Sequence, residues 1–312
     1  MHIDFALVGV SLVLLVLGAE GLVRGSASLA LRVGLPPLIV GLTIVAAGTS
    51  APEMVVSIQA VQTGQGDIAI GNVVGSNIFN IGLILGLTAL IHPLRVHPRI
   101  ARLDAPIALA AALVLPILLW NRSLAPLEGM LLLTALVAYT ANGFRLARRA
   151  GPDGADGDDL DPPSKHWALD VAFVLGGLAL LVTGSELLVT NAVDLARGLG
   201  VDEAVIGLTI IAAGTSAPEL ATSLVAAFRR QADIAIGNVI GSNLFNALGI
   251  LGVASLVGDL RTDGISLVDY ATMVGLSALL VIMMLRRPEL GRAEGALLLV
   301  AFLAWMAWLW PV

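Results

Sequence analysis

Two glutamates stand out because each lies inside a long apolar segment and at the same position of a duplicated motif. Residues 41–86 and 207–252 are near copies, each running from GLTI through AAGTSAPE and DIAIGNV, and one ungapped offset places Glu53 over Glu219. A carboxylate at membrane depth costs a few kcal/mol unless a positive group meets it. Neither apolar segment contains Lys, Arg or His. The pair therefore predicts a cation-binding site, and a chain that moves the cation.

Each glutamate directly follows a proline that must disturb its helix. Pro52 and Pro218 lack a backbone N–H, and the ring pushes away the carbonyl four residues earlier. Freed carbonyl oxygens in 46–49 and 212–215 are intolerable against lipid but can face a cation. Hydroxyl oxygens stand within a helical turn of each carboxylate, on Thr49, Ser50, Thr215 and Ser216. Such oxygens without His or Cys suit Ca²⁺ or Na⁺ better than zinc, copper or iron.

The helix after each glutamate offers a second set of oxygens. GNVVGSNIFN spaces Ser76 and Asn80 four residues apart on one face. Gly71 and Gly75 form a small-residue seam that permits close backbone approach. The copy GNVIGSNLFN repeats these positions as Gly237, Gly241, Ser242 and Asn246. Four further amides are assigned to hydrogen bonds that hold the kinked segments, those of Asn72, Asn77, Asn238 and Asn243.

Composition sets the class of protein. Of the 312 residues, 57% are hydrophobic and 13% are charged, and the mean hydropathy of +0.93 is far above that of a soluble domain. Apolar runs of about 18 to 25 residues fit membrane-spanning helices and not the alternating strands of a β-barrel. We therefore predict an all-α integral membrane protein. Its ten transmembrane helices are predicted at 3–23, 36–61, 68–91, 103–120, 126–146, 168–190, 204–228, 234–257, 267–285 and 293–310.

A polar gap divides these spans into two five-helix repeats. Residues 147–166 contain turn formers and five Asp without an apolar period, which predicts an acidic linker. The first repeat covers 1–146, with the motifs of 41–86, and the second covers 167–312, with those of 207–252. Because each repeat has an odd number of spans, the second enters the membrane from the opposite side. The prediction is a pair of repeats of inverted topology.

The basic residues predict an orientation. Cytoplasmic loops near helix ends collect Lys and Arg, and only Arg122, Arg197 and Arg261 of the 17 basic residues fall on the N-terminal side of this topology. Both termini are therefore predicted outside and the linker cytoplasmic, in a multi-pass protein of the inner cell membrane. The linker lacks the EF-hand pattern, so we interpret it as a solvated tether.

Other polar residues have plainer interpretations. Asp67 and Asp233 stand where helix N-caps belong. Glu20 and Glu186 are predicted near helix ends, within reach of water, with a role in the ion route left open. An enzyme lacks its parts, because the four His lie in loops or near termini, Cys is absent and no Ser lies in a nucleophile-elbow motif. We expect no catalysis, no cofactor and no nucleic-acid partner; the expected partners are ions and the lipid bilayer.

The paired GTSAPE and GSN-FN motifs resemble the two α-repeats of the calcium/cation antiporter superfamily, in particular the prokaryotic sodium/calcium exchangers. The resemblance implies alternating access, with helices 1 and 6 sliding across a rigid core. It also implies a ligand set in which each Ala contributes a main-chain oxygen: Ala46, Thr49, Ser50, Glu53, Ser76 and Asn80, with Ala212, Thr215, Ser216, Glu219, Ser242 and Asn246. Several relatives carry Asp where this chain has Asn246, which puts the Na⁺ stoichiometry and any K⁺ dependence in doubt.

The two carboxylates balance one Ca²⁺ or two Na⁺, so competition for the same charges predicts exchange, with Ca²⁺ exported as Na⁺ enters. A Ca²⁺/H⁺ antiporter of the same fold is the first alternative, because the same carboxylates could cycle protons. An intramembrane hydrolase built on these buried polar residues is a distant alternative, and a passive channel would need no counter-ion. The sequence leaves the coupling ion, the ion affinity and the oligomeric state open.

Overall fold

The structure is helical almost throughout. It is a computed structural model that describes residues 2–150, 166–198, 212–262 and 264–309. The first half of the chain forms α1 (His2–Val33), α2 (Pro37–Val40), α3 (Ala46–Thr49), α4 (Ala51–Gln62), α5 (Gly66–Phe79), α6 (Gly86–Ile91), α7 (Ala105–Leu118) and α8 (Pro126–Ala150). The second half forms α9 (Trp167–Gly198), α10 (Ala212–Thr215), α11 (Ala217–Phe228), α12 (Ala232–Leu244), α13 (Leu251–Val257), α14 (Leu267–Arg286) and α15 (Arg292–Leu309). Wider π-helical turns occupy Gly41–Val45, Asn80–Leu85, Ile100–Asp104 and Phe245–Ile250.

Eight helical stretches in the described parts of the chain are long and apolar enough to cross a membrane. They are Ala6–Val33, Gly66–Ile91, Ile100–Asn121, Pro126–Arg148, Trp167–Gly198, Ala232–Val257, Leu267–Arg286 and Arg292–Leu309. A ninth results if the bent pair Pro37–Thr49 and Ala51–Gln62 is one span. The first residues of the span predicted at 204–228 lie outside the described residues. Most of the linker 147–166 lies outside them as well. The all-helical membrane class is confirmed, whereas the tenth span and the inverted arrangement stay predictions.

Both proline motifs interrupt their helices, as predicted. Ser50 (φ −81°, ψ 9°) separates α3 from α4, and the helices on its two sides differ in direction by 44°. Ser216 (φ −85°, ψ 5°) separates α10 from α11. Pro52 and Pro218 lie in the first turn of α4 and α11, where a helix tolerates a residue without an N–H. The break therefore places the following glutamate in the first turn of a new helix.

Helices α1 and α9 pack against each other through glycines. A Cβ on Gly177 of α9 would come within 2.6 Å of the Leu22 nitrogen and 2.7 Å of the Gly18 oxygen of α1. A Cβ on Gly18 would in turn lie 2.8 Å from the Gly177 oxygen. The two backbones are thus in direct contact, as in other small-residue helix pairs in membranes.

These two helices are longer than predicted. Each has 32 residues, so Glu20 and Glu186 lie well inside a helix, and the prediction that they lie near helix ends is wrong. The Glu20 carboxylate pairs with the Arg229 guanidinium, whose Nε donates to Glu20 Oε2 at 2.8 Å. An ion pair therefore joins α1 to the end of α11.

The two halves of the chain are intertwined. Two antiparallel ladders of two residues each join one half to the other: β1 (Leu94–Arg95) pairs with β4 (Glu289–Leu290), and β2 (Ser123–Leu124) pairs with β3 (Leu260–Arg261). The repeat offset maps β1 onto β3 and β2 onto β4, so the two ladders are equivalent. Each half contributes one strand to both.

The predicted glycine seam is present in the second repeat. A Cβ on Gly237 would lie 3.2 Å from the Leu38 oxygen, and one on Gly241 would lie 2.6 Å from the Leu42 oxygen. Helix α12 therefore touches the backbone at the start of the first broken helix. Gly71 and Gly75 make no such backbone contact with described residues, and the repeat equivalent of 38–42, residues 204–208, lies outside them.

The prediction that Asp67 and Asp233 are helix N-caps is wrong. Gln65 and Gln231 occupy the N-cap positions of α5 and α12, and the two aspartates lie in the first helical turns. The Asp67 carboxylate instead accepts a hydrogen bond from the Gly264 N–H at 3.0 Å. A negative charge in the first turn still interacts favourably with the positive end of the helix dipole, which explains why an acidic residue suits the position.

Candidate cation site

Serines of opposite repeats bring the two glutamates together. Ser50 Oγ donates to Glu219 Oε1 at 2.9 Å, and Ser216 Oγ donates to Glu53 Oε1 at 3.2 Å. Each serine stands at a helix break, and each carboxylate lies in the first turn after the other break. Both glutamates are 1% exposed. The structure thus gathers the two predicted carboxylates into one buried cluster.

Two oxygens of this cluster and two of the GSN-FN asparagines are buried without a hydrogen-bond donor among the described residues. They are Glu53 Oε2, Glu219 Oε2, Asn80 Oδ1 and Asn246 Oδ1. No Lys, Arg or His of the described chain forms an ion pair with either glutamate. A buried polar group left without a partner costs about 1–3 kcal/mol, and more when it is charged. Two carboxylate and two amide oxygens, one of each from each repeat, are ligands of the kind that a hard cation prefers.

The first broken helix contacts the second repeat through hydroxyl groups. Thr49 Oγ1 donates to Asn238 Oδ1 at 3.0 Å and lies 3.5 Å from Ser242 Oγ. Ser242 Oγ also lies 3.5 Å from the Ala46 carbonyl oxygen. Thr49 and Ser242 are fully buried and Ala46 is nearly so. These predicted ligands therefore share one contact region.

The expectation of freed carbonyls is wrong for Ala46, whereas the Gly214 carbonyl has a side-chain partner in place of a helical one. The Ala46 carbonyl keeps a helical partner, the Ser50 N–H at 3.0 Å, because the proline two residues after Ser50 removes a different bond. In the second repeat the Gly214 carbonyl accepts from Ser185 Oγ of α9 at 2.7 Å. A hydroxyl of the long helix thus replaces the N–H that Pro218 lacks.

Two asparagines hold the first turns that carry the glutamates, as predicted. Asn72 Nδ2 donates to the Glu53 carbonyl oxygen at 3.1 Å and to Ser57 Oγ at 3.0 Å. The equivalent bonds of the second repeat, at 3.3 and 3.0 Å, join Asn238 to the Glu219 carbonyl and to Ser223 Oγ. The helix after each break is thereby tied to the helix that follows it.

The asparagines of the GSN-FN motifs bond across the repeats. Asn80 Nδ2 donates to Asn243 Oδ1 at 2.9 Å, and Asn246 Nδ2 donates to Asn77 Oδ1 at 3.2 Å. Asn80 begins one π-helical turn and Asn246 lies in another, and such turns are frequent at functional sites. The sequence pattern gave Asn77 and Asn243 a holding role but not these partners. Their duplication at the common offset was the signal that they matter.

The other predicted ligands lie on the helices that carry this site. Ser76 is 3% exposed on α5, one turn before Asn80, and Thr215 is 5% exposed at the end of α10. Ala212 begins α10, and its side chain lies outside the described residues. Ser185, which the sequence did not single out, contacts the second break from α9.

Comparisons with known proteins find similar chains. The family model described as sodium/calcium exchanger protein matches residues 3–144 and 169–310. The inner membrane protein YrbG of Escherichia coli is 38% identical over 322 aligned residues, covering 100% of this chain and 99% of that protein. The sodium/calcium exchanger MaX1 of Methanosarcina acetivorans is 31% identical, over 97% of each chain.

A solved structure is also similar along the whole chain. The sodium-calcium exchanger NCX_Mj, in crystals soaked with Na⁺ and Ca²⁺, superposes with a TM-score of 0.85 at 30% identity, covering 99% of both chains. The two matched segments of the family model correspond to the two halves of the chain described above. On these grounds the chain belongs to the sodium/calcium exchanger protein family.

Proposed function

We propose that this protein is a secondary active antiporter that exchanges Ca²⁺ for Na⁺ by alternating access at the site between Glu53 and Glu219. The carrying observation is a set of four buried acceptor oxygens that have no donor in the described part of the chain, two of them on carboxylates. A desolvated cation is the partner that such oxygens lack. The similar proteins MaX1 and NCX_Mj are both sodium/calcium exchangers, which supports Ca²⁺ and Na⁺ as the exchanged ions.

The charge of the site supports exchange. Two carboxylates can be balanced by one Ca²⁺ or by two Na⁺, so the two loads compete for the same oxygens. A site without a cation leaves two negative charges in a low-dielectric region, which opposes movement until a cation arrives. We propose that only the neutralised states switch between the two sides of the membrane.

The proposed membrane arrangement has ten spans in two inverted five-helix repeats, within the inner membrane. Support comes from the reciprocal serine and asparagine bonds, which repeat in both halves. With both termini outside, the linker 147–166 is cytoplasmic. The cation site then lies between the two broken helices, near the middle of the membrane.

Transport by the purified protein in proteoliposomes tests this function. We expect ⁴⁵Ca²⁺ uptake to depend on an outward Na⁺ gradient and to be lost in Glu53→Gln and in Glu219→Gln. Removing one charge from a buried set costs about 3–5 kcal/mol, or more than about a hundredfold in affinity. Glu289→Gln, an exposed carboxylate on β4, is the matched control and should transport normally.

The same vesicles separate the alternatives. Uptake driven by a pH gradient and indifferent to Na⁺ would identify a Ca²⁺/H⁺ antiporter. Uptake without any counter-ion would identify a channel. Normal flux in both glutamine variants would remove the two glutamates from the mechanism.

A further inference from the structure

The orientation of two amides decides whether the site attracts a cation. An asparagine can present its Oδ1 or, turned over, its NH₂, and only the oxygen is a ligand. Asn80 and Asn246 are each 1% exposed, and each keeps Oδ1 free of donors among the described residues. Something must therefore hold both NH₂ groups away from the ion.

The holding groups belong to the opposite repeat. Asn80 Nδ2 donates to Asn243 Oδ1 at 2.9 Å, and Asn246 Nδ2 donates to Asn77 Oδ1 at 3.2 Å. If the Asn80 amide turned over, its oxygen would face the Asn243 oxygen and its NH₂ would face the cation. Both changes are unfavourable, so the bond to Asn243 selects the orientation that binds.

Two backbone carbonyls fix the orienting amides in turn. Asn77 Nδ2 lies 3.4 Å from the Asn243 carbonyl oxygen, and Asn243 Nδ2 lies 3.5 Å from the Asn77 carbonyl oxygen. A backbone carbonyl can only accept a hydrogen bond. Each NH₂ must therefore point toward the opposite backbone, and each Oδ1 points toward Asn80 or Asn246. The sense of all four amides follows from groups that cannot reverse.

We propose that Asn77 and Asn243 are positioning residues that aim the carbonyl oxygens of Asn246 and Asn80 at the transported cation. The inference rests on the proposed function, and in this role neither residue needs to touch the ion. Each amide ligand is oriented by the other repeat. The cation site is therefore complete only while the two repeats keep their mutual register.

Substitution of the orienting amide gives the first test. Asn243→Leu removes the acceptor for Asn80 and should raise the Kd for Ca²⁺ roughly tenfold, as loss of a group that orients a metal ligand does. Asn191→Leu is the matched control, because Asn191 has the same 6% exposure and donates within α9 to the Leu187 oxygen at 2.7 Å. The control should bind Ca²⁺ normally. Binding is measured by calorimetry on the full chain in detergent.

A second-site change separates orientation from general structural damage. The substitution Asn80→Asp replaces the amide with a carboxylate. Both oxygens of a carboxylate can bind the cation, so this side chain does not need a neighbour to select its orientation. Asn243→Leu should then cost less than about twofold in the Asn80→Asp background, against roughly tenfold in the unchanged background. A role in packing alone predicts the same cost in both backgrounds and would overturn the proposal.

The repeat provides an independent copy of the experiment. Asn77→Leu with and without Asn246→Asp makes the same comparison from the other side, and serves if Asn243→Leu fails to elute as a folded protein. Equal costs in both backgrounds overturn the inference while Ca²⁺ binding by the unsubstituted chain leaves the proposed function standing. Absence of Ca²⁺ binding by the unsubstituted chain would overturn the proposed function and this inference with it.

Discussion

Ser50 and Ser216 connect each helix break to the carboxylate of the other repeat. Each hydroxyl donates to one oxygen of a glutamate and so leaves the second oxygen, Oε2, without a donor in the described chain. A serine hydroxyl can also accept, so it remains available as a neutral ligand beside the carboxylate. The pairing holds both carboxylates in place before a cation arrives, which lowers the cost of binding.

Serine-to-alanine substitutions test this residue-scale link. Ser50→Ala and Ser216→Ala should each weaken Ca²⁺ binding by about tenfold, because a hydrogen bond to a charged group contributes about 1.5–3 kcal/mol. Ser277→Ala is the control, since Ser277 is buried but its hydroxyl bonds within α14 to the Met273 oxygen at 2.8 Å. The measurement is Ca²⁺ calorimetry on all three variants. A strong effect for one serine and none for the other would contradict the equivalence of the two repeats.

The oxygen-bearing residues could be predicted from sequence, but their partners could not. A buried carboxylate after a helix-breaking proline can be predicted from a single segment of the sequence. The duplication of that segment indicated which polar residues belong to the site. The bonds from Ser50 to Glu219 and from Asn80 to Asn243 join residues far apart in the chain. Such partners depend on how the two halves dock, and no local pattern contains that information.

At the scale of the helix, α1 and α9 form a closely packed pair. Their contact relies on glycines, with the Gly177 Cβ position only 2.6 Å from a backbone atom of Leu22. The pair also touches the second break, through the bond from Ser185 to the Gly214 carbonyl. The family resemblance implies that these two helices slide across the core, and their glycine contact would make them move together.

Adjacent glycines of α9 offer a matched comparison. Gly177→Ala should force the two backbones apart and lower the free energy of unfolding of the detergent-solubilised protein by about 1–3 kcal/mol. It should also slow Na⁺-dependent Ca²⁺ uptake. Gly176→Ala should do neither, because an added Cβ there meets nothing within 4 Å. Unfolding followed by intrinsic tryptophan fluorescence and vesicle uptake provide the two readings. Equal behaviour of the two variants would contradict a close α1–α9 contact.

Helix existence was predictable, whereas helix length was not. A helix of about 20 apolar residues crosses the hydrocarbon core of the membrane, and this rule located the spans. It placed the ends of the first and sixth helices too early, because it counts only the residues that are needed to cross the bilayer. The structure continues both helices, and Arg229 pairs with the carboxylate that looked terminal.

At the scale of the whole molecule, the two halves do not fold side by side. Each ladder takes one strand from each half, and backbone contact between Gly86 and Gly295 is repeated between Gly252 and Gly129. Helices of one half therefore pack into the other in two equivalent places. This exchange explains how the serine bonds to the glutamates and the asparagine bonds of the GSN-FN motifs can cross between repeats.

Inverted topology can be tested with a pair of repeat-related arginines. The chain contains no cysteine, so Arg95→Cys and Arg261→Cys each introduce a single exposed thiol, one on β1 and one on β3. Inversion predicts that a membrane-impermeant maleimide labels position 261 in intact cells and position 95 only after permeabilisation. Labelling of both positions from the same side would contradict the inverted arrangement.

The central claim is that Glu53 and Glu219 jointly bind either Ca²⁺ or Na⁺, and equilibrium ⁴⁵Ca²⁺ binding to the purified chain tests it most directly. The account predicts saturable binding that Na⁺ displaces competitively and that Glu53→Gln and Glu219→Gln each abolish. Undiminished binding in both variants, or Ca²⁺ binding that Na⁺ leaves unchanged, would contradict it.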